Sequence, residues 1–537
     1  MYPKGKEKGY WCLVLHAHLP FVRHPEYEDF LEEDWLYEAI TETYLPFVDI
    51  FDRLLEENID YRVTLSISPP LMNMLTDELL MSRYLKKLDK LVELTEKELV
   101  RTKFLPEFQD TVKMYHENLQ RYRSIFRDKY GCNILTAFKK FQDAGKIEVI
   151  TCCATHGFLP LATQKQSVKA QVFFACDTYE RHFGRRPRGM WLSECAYVPG
   201  VDEVLVSEGI RFFFLEAHGV LYATPRPKYG VFAPVFTPSG AAVFARDIES
   251  AQQVWSAEIG YPGDVDYREF YRDVGYDLEY DYIKSYLHND GVRRNVGLKY
   301  FRVSGKVPLS KKEPYNPAWA REKAASHAGN FMFNREKQIE HLASIMDRKP
   351  IVVSPYDAEL YGHWWFEGPM FLEYLFRKMY HDQGNVLPVT PIEYLKDNPA
   401  NQIVQPAASS WGDKGYFEVW LNGTNDWIYR HLHAAQRRMV EVAELFNDTT
   451  EHLQVRVLNQ MVRELLLAES SDWPFIMATG TMVEYANKRI TDHLVRFNEL
   501  YYNLKNDRIN TKFLEDLEWK DNIFPNADYK KYTRKKV

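Results

Sequence analysis

Seven short apolar runs punctuate the first 360 residues, at 10–15, 61–67, 147–151, 189–192, 210–215, 241–245 and 350–354. Longer amphipathic stretches separate most of them. Runs of this length, apolar throughout, suit strands buried on both faces, as in parallel sheets. Their alternation with helical stretches predicts an α/β barrel or a doubly wound sheet. The residues that close the runs choose between the two: His16 and His18, His156, Glu194, His218 and Asp357. Polar groups at so many strand ends converge on one spot only if the strands form a ring. A barrel, complete or not, is the favoured reading.

Residues 71–143 break the rhythm. The stretch 77–102 is dense in Lys, Glu and Leu at helical spacing, and 108–126 continues similarly. This predicts a helical insertion on the strand-end side, forming one wall of a cleft. From about residue 425 the pattern is helical only. Leu458, Met461, Val462 and Leu465 share one helix face, and 428–446 and 482–504 behave alike. The expected organisation is a barrel from 1–70 and 144–410, an insertion at 71–143, and a C-terminal helical bundle from 411–537 that lines the cleft. The basic tail, 530–536, reads as a solvated end.

Charge narrows the partners. The 537 residues carry 75 acidic and 68 basic side chains, a net charge of −7. That leaves no basic footprint for nucleic acid and no polybasic membrane patch; a neutral partner fits better. No window approaches a membrane span. The apolar run after the N-terminus is too short for a signal peptide. Six cysteines without a CxxC pair point to a reducing cytoplasm, not to a disulfide scaffold or zinc ribbon. Oligomeric state is not legible.

Two stretches carry the chemistry. Trp191-Leu192-Ser193-Glu194-Cys195-Ala196-Tyr197 and Ser354-Pro355-Tyr356-Asp357-Ala358-Glu359-Leu360 each deliver a carboxylate where an apolar run stops. One carboxyl with a raised pKa and a second that stays ionised can cleave a glycosidic bond. His16 and His18, at i and i+2 of a strand, face the same way. They read as a metal pair, as donors to sugar hydroxyls, or as structural histidines. His156 reads equally as a mouth-facing donor or a core residue. Cys152 and Cys153 read as small buried residues. Trp255, Trp411, Trp420, Trp427 and Trp473 mostly sit among polar or glycine-rich neighbours, where cleft aromatics and core aromatics are both open. The aromatic fraction of 15% suits stacking against sugar faces as well as large cores.

The stretches 16–20, 153–156, 191–197, 356–363 and 410–427 together resemble the five sequence regions of glycoside hydrolase family 57, in the family's order. The resemblance runs along nearly the whole chain. It is strongest to the group that holds 1,4-α-glucan branching enzymes and a related α-amylase type. It implies a (β/α)7 barrel with a helical insertion and a C-terminal helical domain. It also implies a retaining mechanism on α-1,4-glucans such as amylose, starch and glycogen, with no metal and no cofactor. Carried over, Glu194 is the nucleophile and Asp357 the general acid/base. His16, His18 and His156 bind sugar at the cleavage point. Trp255, Trp411 and Trp420 line the glucan and acceptor cleft, with Asp472 and Trp473 near it.

One departure is visible. Branching members carry a long loop over the site, bearing a tyrosine that helps exclude water. Here the segment 216–239 is short, and neither Tyr222 nor Tyr229 matches that tyrosine. Branching is read ahead of hydrolysis. A metal-dependent hydrolase or deacetylase using His16, His18, His156 and Asp357, and a non-catalytic glucan-binding protein, are the other classes.

Overall fold

The computed structural model describes residues 5–256 and 259–534. Nine strands form one sheet: β1 (Gly9–Ala17), β2 (Val63–Ile67), β3 (Ile147–Cys152), β4 (Gly189–Trp191), β5 (Phe212–Leu215), β6 (Val235–Phe236), β7 (Ala242–Ala245), β8 (Ile351–Asp357) and β9 (Val386–Pro388). Their order is β6-β7-β5-β4-β3-β2-β1-β8, with β9 also against β1. The seven expected strands, β1 to β5, β7 and β8, are all present and all run parallel. β6 runs antiparallel to β7. In these seven strands every residue except Asp357 is buried, the two-sided burial that the unbroken apolar runs require.

The ring is incomplete between β7 and β8. No strand ladder joins them among the described residues. The Asp247 amide instead donates to the Val353 carbonyl at 2.9 Å, and the helix Ile248–Trp255, capped by the Asp247 side chain, occupies the gap. The fold is thus an incomplete (β/α)7 barrel. Parallel register also sets His16 beside Asp357 on β8 and beside Ser66 on β2, so residues from distant segments meet at the strand ends.

Between β2 and β3 lie the helices Glu78–Arg101 and Pro106–Arg123. They bury Leu80, Tyr84, Leu88, Leu91 and Leu119 and leave their Lys and most of their Glu outside, Glu98 being the buried exception. The catalytic-side cleft described below contains no residue of this insertion; the wall it forms belongs to a second cavity. The C-terminal helices Trp427–Leu445, His452–Ala468, Asp472–Thr479 and Val483–Lys505 pack on one another, and Leu458, Met461, Val462 and Leu465 are buried as one face. The basic tail departs from expectation. Tyr529 and Tyr532 are buried against the bundle, because their rings outweigh the neighbouring lysines. Lys535 and Lys536 lie outside the described residues.

The segment after β5 does not reach over the barrel mouth. It passes through the helix Ala217–Leu221 and runs down to the opposite end of the barrel. There Tyr229 and Lys228 bond Asp347, and the Phe232 carbonyl accepts from the Ile351 amide at the start of β8. Tyr222 is exposed and stacks with Arg226.

Candidate active site

The strand ends bring the polar residues together. His16 Nδ1 hydrogen-bonds Ser66 at 3.0 Å, and two residues on His18 Nδ1 bonds Ser68 at 2.8 Å. Two-residue periodicity on β1 and β2 produces both pairs. At the ends of β3 and β4 the chain turns through left-handed backbone at His156 (φ 58°), Glu194 (φ 62°) and Cys195 (φ 50°). Such conformations cost about 1–3 kcal/mol each and cluster at functional sites. They swing His156 and Glu194 off their strands and into the mouth.

A strap of chain holds Glu194 in place. Residues 404–411 run past the barrel in successive backbone contacts. The Val404 amide donates to Phe236, Ala407 to Gly219 and, at 3.0 Å, Trp411 to the Glu194 carbonyl. Trp411 is thereby delivered edge-on to the carboxyl, and its indole Nε1 donates to Glu194 Oε2 at 2.8 Å. From the other side the turn before the helix Asp472–Thr479 inserts Ser471, which donates to Glu194 Oε1 at 3.0 Å. The Ser471 amide bonds the His156 carbonyl at 3.0 Å.

The histidines form a chain that ends on this carboxylate. His16 Nε2 and His156 Nε2 are 2.9 Å apart, and His156 Nδ1 lies 2.7 Å from Ser471 Oγ. Burial, reinforced by the neighbouring histidine charge, holds both rings well below the usual histidine range, so both are neutral. Neutral rings have one donor each, and with Ser471 donating to Glu194 only one direction fits. Ser66 donates to His16 Nδ1, His16 Nε2–H to His156 Nε2, His156 Nδ1–H to Ser471, and Ser471 to Glu194. Every dipole in the relay favours an ionised Glu194.

This corrects the expectation that His16 and His156 donate to sugar hydroxyls. They are 2% and 3% exposed and all four ring nitrogens are taken up by protein. His18 is different. It stacks on His156 at 3.8 Å, keeps a partly open edge, and pairs with Asp472 at 3.0 Å. Burial lowers His18, but the Asp472 charge outweighs it and raises the ring above its ordinary value. Burial raises Asp472, but His18 outweighs it and takes the carboxyl to about 2.

Asp357 ends β8 as the one exposed residue of that strand, and its carboxyl makes no hydrogen bond among the described residues. It opens into a cleft of about 540 Å³ that it shares with Glu194, Arg246, Trp255, Trp411 and Trp420. Although open to solvent, Asp357 lies deep enough for burial to raise it to about 6, against the charges of His18 and Arg246. Burial raises Glu194 to about 7. Its hydrogen bond from Trp411 opposes this, and the charge of Asp357 adds to it. The two carboxyls feel each other and titrate as a pair. Near neutral pH the pair holds one proton: the hydrogen bonds from Trp411 and Ser471 draw it away from Glu194, while burial and the Asp357 charge hold it there.

The tryptophans divide. Trp255 is half-exposed in the cleft. Trp420 forms its wall, buried and stacked on Phe158 at 4.7 Å. Trp473 is corrected: it is 1% exposed, donates to the Leu467 carbonyl at 2.8 Å, and packs in the bundle core. Trp427 also packs against that core. Polar sequence neighbours mislead here because each of these tryptophans sits at a helix start, where polar residues serve the turn. Tyr222 and Tyr229 are absent from the cleft lining.

Sequence reasoning gave no role to Ser471, Arg246, Tyr44, Phe475 or Glu359. Glu359 accepts from the His18 amide at 3.3 Å and from the Tyr44 hydroxyl. Burial raises it to about 7, with Tyr44 opposing and the Asp357 charge adding. Its place two residues after Asp357 is a signal; Arg246 likewise follows an apolar run. Phe475 lines the cleft from the bundle. Two groups near the mouth have ligand atoms within 4.8 Å of one another, His16–Cys152–His156 and His18–His156–Asp472. Asp357 belongs to neither, and the histidine nitrogens they offer are those already bonded to Ser66, Ser68, Ser471, Asp472 or each other.

A seven-stranded incomplete barrel with paired carboxyls under an aromatic cleft defines a glycoside-bond enzyme class. Sequence comparison gives the family. The profile of glycosyl hydrolase family 57 matches residues 12–338, and that of the 1,4-α-glucan branching enzyme C-terminal domain matches 431–532. The 1,4-α-glucan branching enzyme TK1436 of Thermococcus kodakarensis is 33% identical over 96% of this chain and 77% of its own. Among solved structures, the α-amylase AmyC from Thermotoga maritima superposes with a TM-score of 0.93 at 45% identity, covering 98% of this chain and 100% of its own. A GH57-type branching enzyme from Pyrococcus horikoshii gives 0.88 at 33%, covering 98% and 97%. The chain belongs to glycoside hydrolase family 57.

Proposed function

We propose that the protein is a 1,4-α-glucan branching enzyme that works with retention through a glycosyl-enzyme. The carrying observation is the Glu194 carboxylate, fixed by Trp411 and Ser471 in one cleft with an Asp357 whose carboxyl has no hydrogen-bond partner among the described residues. A carboxylate given only donors suits the nucleophile; a raised, unpaired carboxyl suits the acid. Glu194 attacks the anomeric carbon while protonated Asp357 gives its proton to the departing glycosidic oxygen. A glycosyl ester and a shortened glucan result. Asp357, now ionised, takes the proton of an acceptor hydroxyl, whose oxygen displaces Glu194. A glucan 6-hydroxyl as acceptor makes an α-1,6 branch.

Trp255, Trp411 and Trp420 offer faces and edges to the glucan, and His18 and Asp472 border the reacting sugar. His16 and His156 act behind Glu194, through the relay. The barrel at 1–70 and 144–410 would carry the chemistry, with 411–537 closing the cleft from one side and 71–143 standing apart. Branching draws support from the 431–532 match and from the branching-enzyme relatives. A cytoplasmic site of action fits the six unpaired cysteines; no described helix is long and apolar enough to cross a membrane.

Hydrolysis is the second reading, and one observation favours it. The segment after β5 turns away from the mouth, so water reaches the ester more easily. The resemblance to AmyC points the same way. Incubation with amylose decides: new α-1,6 linkages in excess of new reducing ends support branching, and reducing ends alone support an amylase.

A further inference from the structure

A second cavity, about 720 Å³, lies between the helical insertion and the barrel helices, and it is larger than the catalytic cleft. Its size falls within the usual range for ligand sites, about 300–1,000 Å³. One wall is the insertion helix Pro106–Arg123. Another is the helix Gly368–His381 that follows β8. The third is the helix after β1, which runs as Glu33–Ala39, Ile40–Tyr44 and Leu45–Glu56.

The middle segment of that third helix is a π turn, a local widening common at functional sites. It faces two ways. Its Tyr44 hydroxyl donates to Glu359, next to Asp357. Its Thr41 and Glu42 line the second cavity, with Glu42 anchored by His363 at 2.7 Å and by Arg268. One turn of backbone thus connects the two sites.

The lining has a definite chemistry. Tyr122, Phe366 and Tyr374 present half-buried rings. Six acidic and five basic side chains line the space, close to balance. Several neutralise one another across the wall, as Arg53 does with Asp49 and Glu373. Four polar side chains of the lining have no hydrogen bond or ion pair among the described residues: the Glu38 and Asp110 carboxyls, the Arg321 guanidinium and the Tyr374 hydroxyl. A balanced lining selects neither polyanion nor polycation. Ring faces beside unpaired acceptors and donors select a neutral molecule with apolar faces and many hydroxyls, which is a sugar chain.

We propose that this cavity is a second binding site for a segment of neutral α-glucan, separate from the cleft where bonds are broken. The ligand's identity rests on the function proposed above. A polymer held here presents its other segments to the cleft at raised effective concentration; a short oligosaccharide gains nothing.

Hydrogen–deuterium exchange with and without maltoheptaose tests this on the intact protein. Protection is expected in peptides from 106–123 and 368–381, in addition to any around Glu194. Tyr374→Ala should abolish that protection and raise the KM for amylose about five-fold or more, leaving kcat and the KM for maltotetraose within twofold. Glu38→Gln, nearly isosteric, should raise the polymer KM in the same direction and covers the case in which Tyr374→Ala fails to fold. Absent protection at saturating maltoheptaose, equal KM changes for short and long substrates, or protection by an apolar dye but not by maltoheptaose would each overturn the second site. Exchange is read without turnover. If amylose gives neither branches nor reducing ends, the catalytic reading fails while the binding result stands by itself; normal turnover without protection sinks only the second site.

Discussion

At Glu194 the backbone is left-handed and the carboxyl is buried. Both conditions cost free energy, and the indole of Trp411 with the Ser66–His16–His156–Ser471 relay offsets part of it. Removing the carboxylate removes the bond-forming atom. Glu194→Gln should lower turnover on amylose roughly 10⁴-fold or more, about 5.5 kcal/mol of barrier, with the fold intact by circular dichroism. The raised carboxyls set a pH profile. Below about 6 both are protonated and no nucleophile remains; above about 7 both are ionised and no acid remains. kcat/KM should be bell-shaped between these values. Ser471→Ala deletes a donor to ionised Glu194, so its pKa rises and the limb of the profile that Glu194 governs should move to higher pH; an unmoved profile would show that the relay has no influence on the carboxyl. Glu194 and Asp357 were legible because each follows an apolar run. Ser471 and Tyr44 were not, because they reach the mouth from elements far along the chain, and no local spacing encodes that.

At the level of elements, the helix Asp472–Thr479 has two tasks: Asp472 faces the mouth and Trp473 faces the bundle core. The two should separate by substitution. Trp473→Ala leaves a large cavity and should cost about 3–5 kcal/mol of stability. Trp255→Ala, at a half-exposed ring, should stay within about 0.5 kcal/mol yet raise the KM for glucan several-fold. Denaturant melts with parallel kinetics distinguish them. The His18–Asp472 pair has its own signature. Asp472 is depressed in the fold, so its contribution exists above the unfolded carboxylate value of about 3.9 and disappears as pH falls towards about 2. His18 is raised, so its contribution exists below about 6.5 and disappears as pH climbs through the folded value. Asp472→Asn should therefore destabilise most near pH 5, by about 1.5–3 kcal/mol, and less at pH 8. The seven parallel strands were legible because two-sided burial writes unbroken apolar runs. β6 and β9, at two and three residues, are too short to leave a pattern. The irregular chain from 259 to 316 has no period to read.

For the molecule as a whole, a barrel open between β7 and β8 is completed by chain from elsewhere: the 404–411 strap, the 470–473 turn and the helix Ile248–Trp255. The cleft is therefore a joint product of barrel and bundle, with Phe475 contributed by the latter. The C-terminal helices were visible as helices. Their insertion into the barrel mouth was not, since it depends on packing and not on periodicity. The account stands on covalent capture of a glycosyl unit by Glu194. Its most direct test is mass-spectrometric peptide mapping of the Asp357→Asn protein after brief reaction with α-maltosyl fluoride, whose leaving group needs no acid. A maltosyl adduct on the peptide containing Glu194, absent from Glu194→Gln/Asp357→Asn, is the expected result. Full consumption of the fluoride with no adduct on that peptide, or turnover abolished by a chelator and restored by zinc, would contradict it.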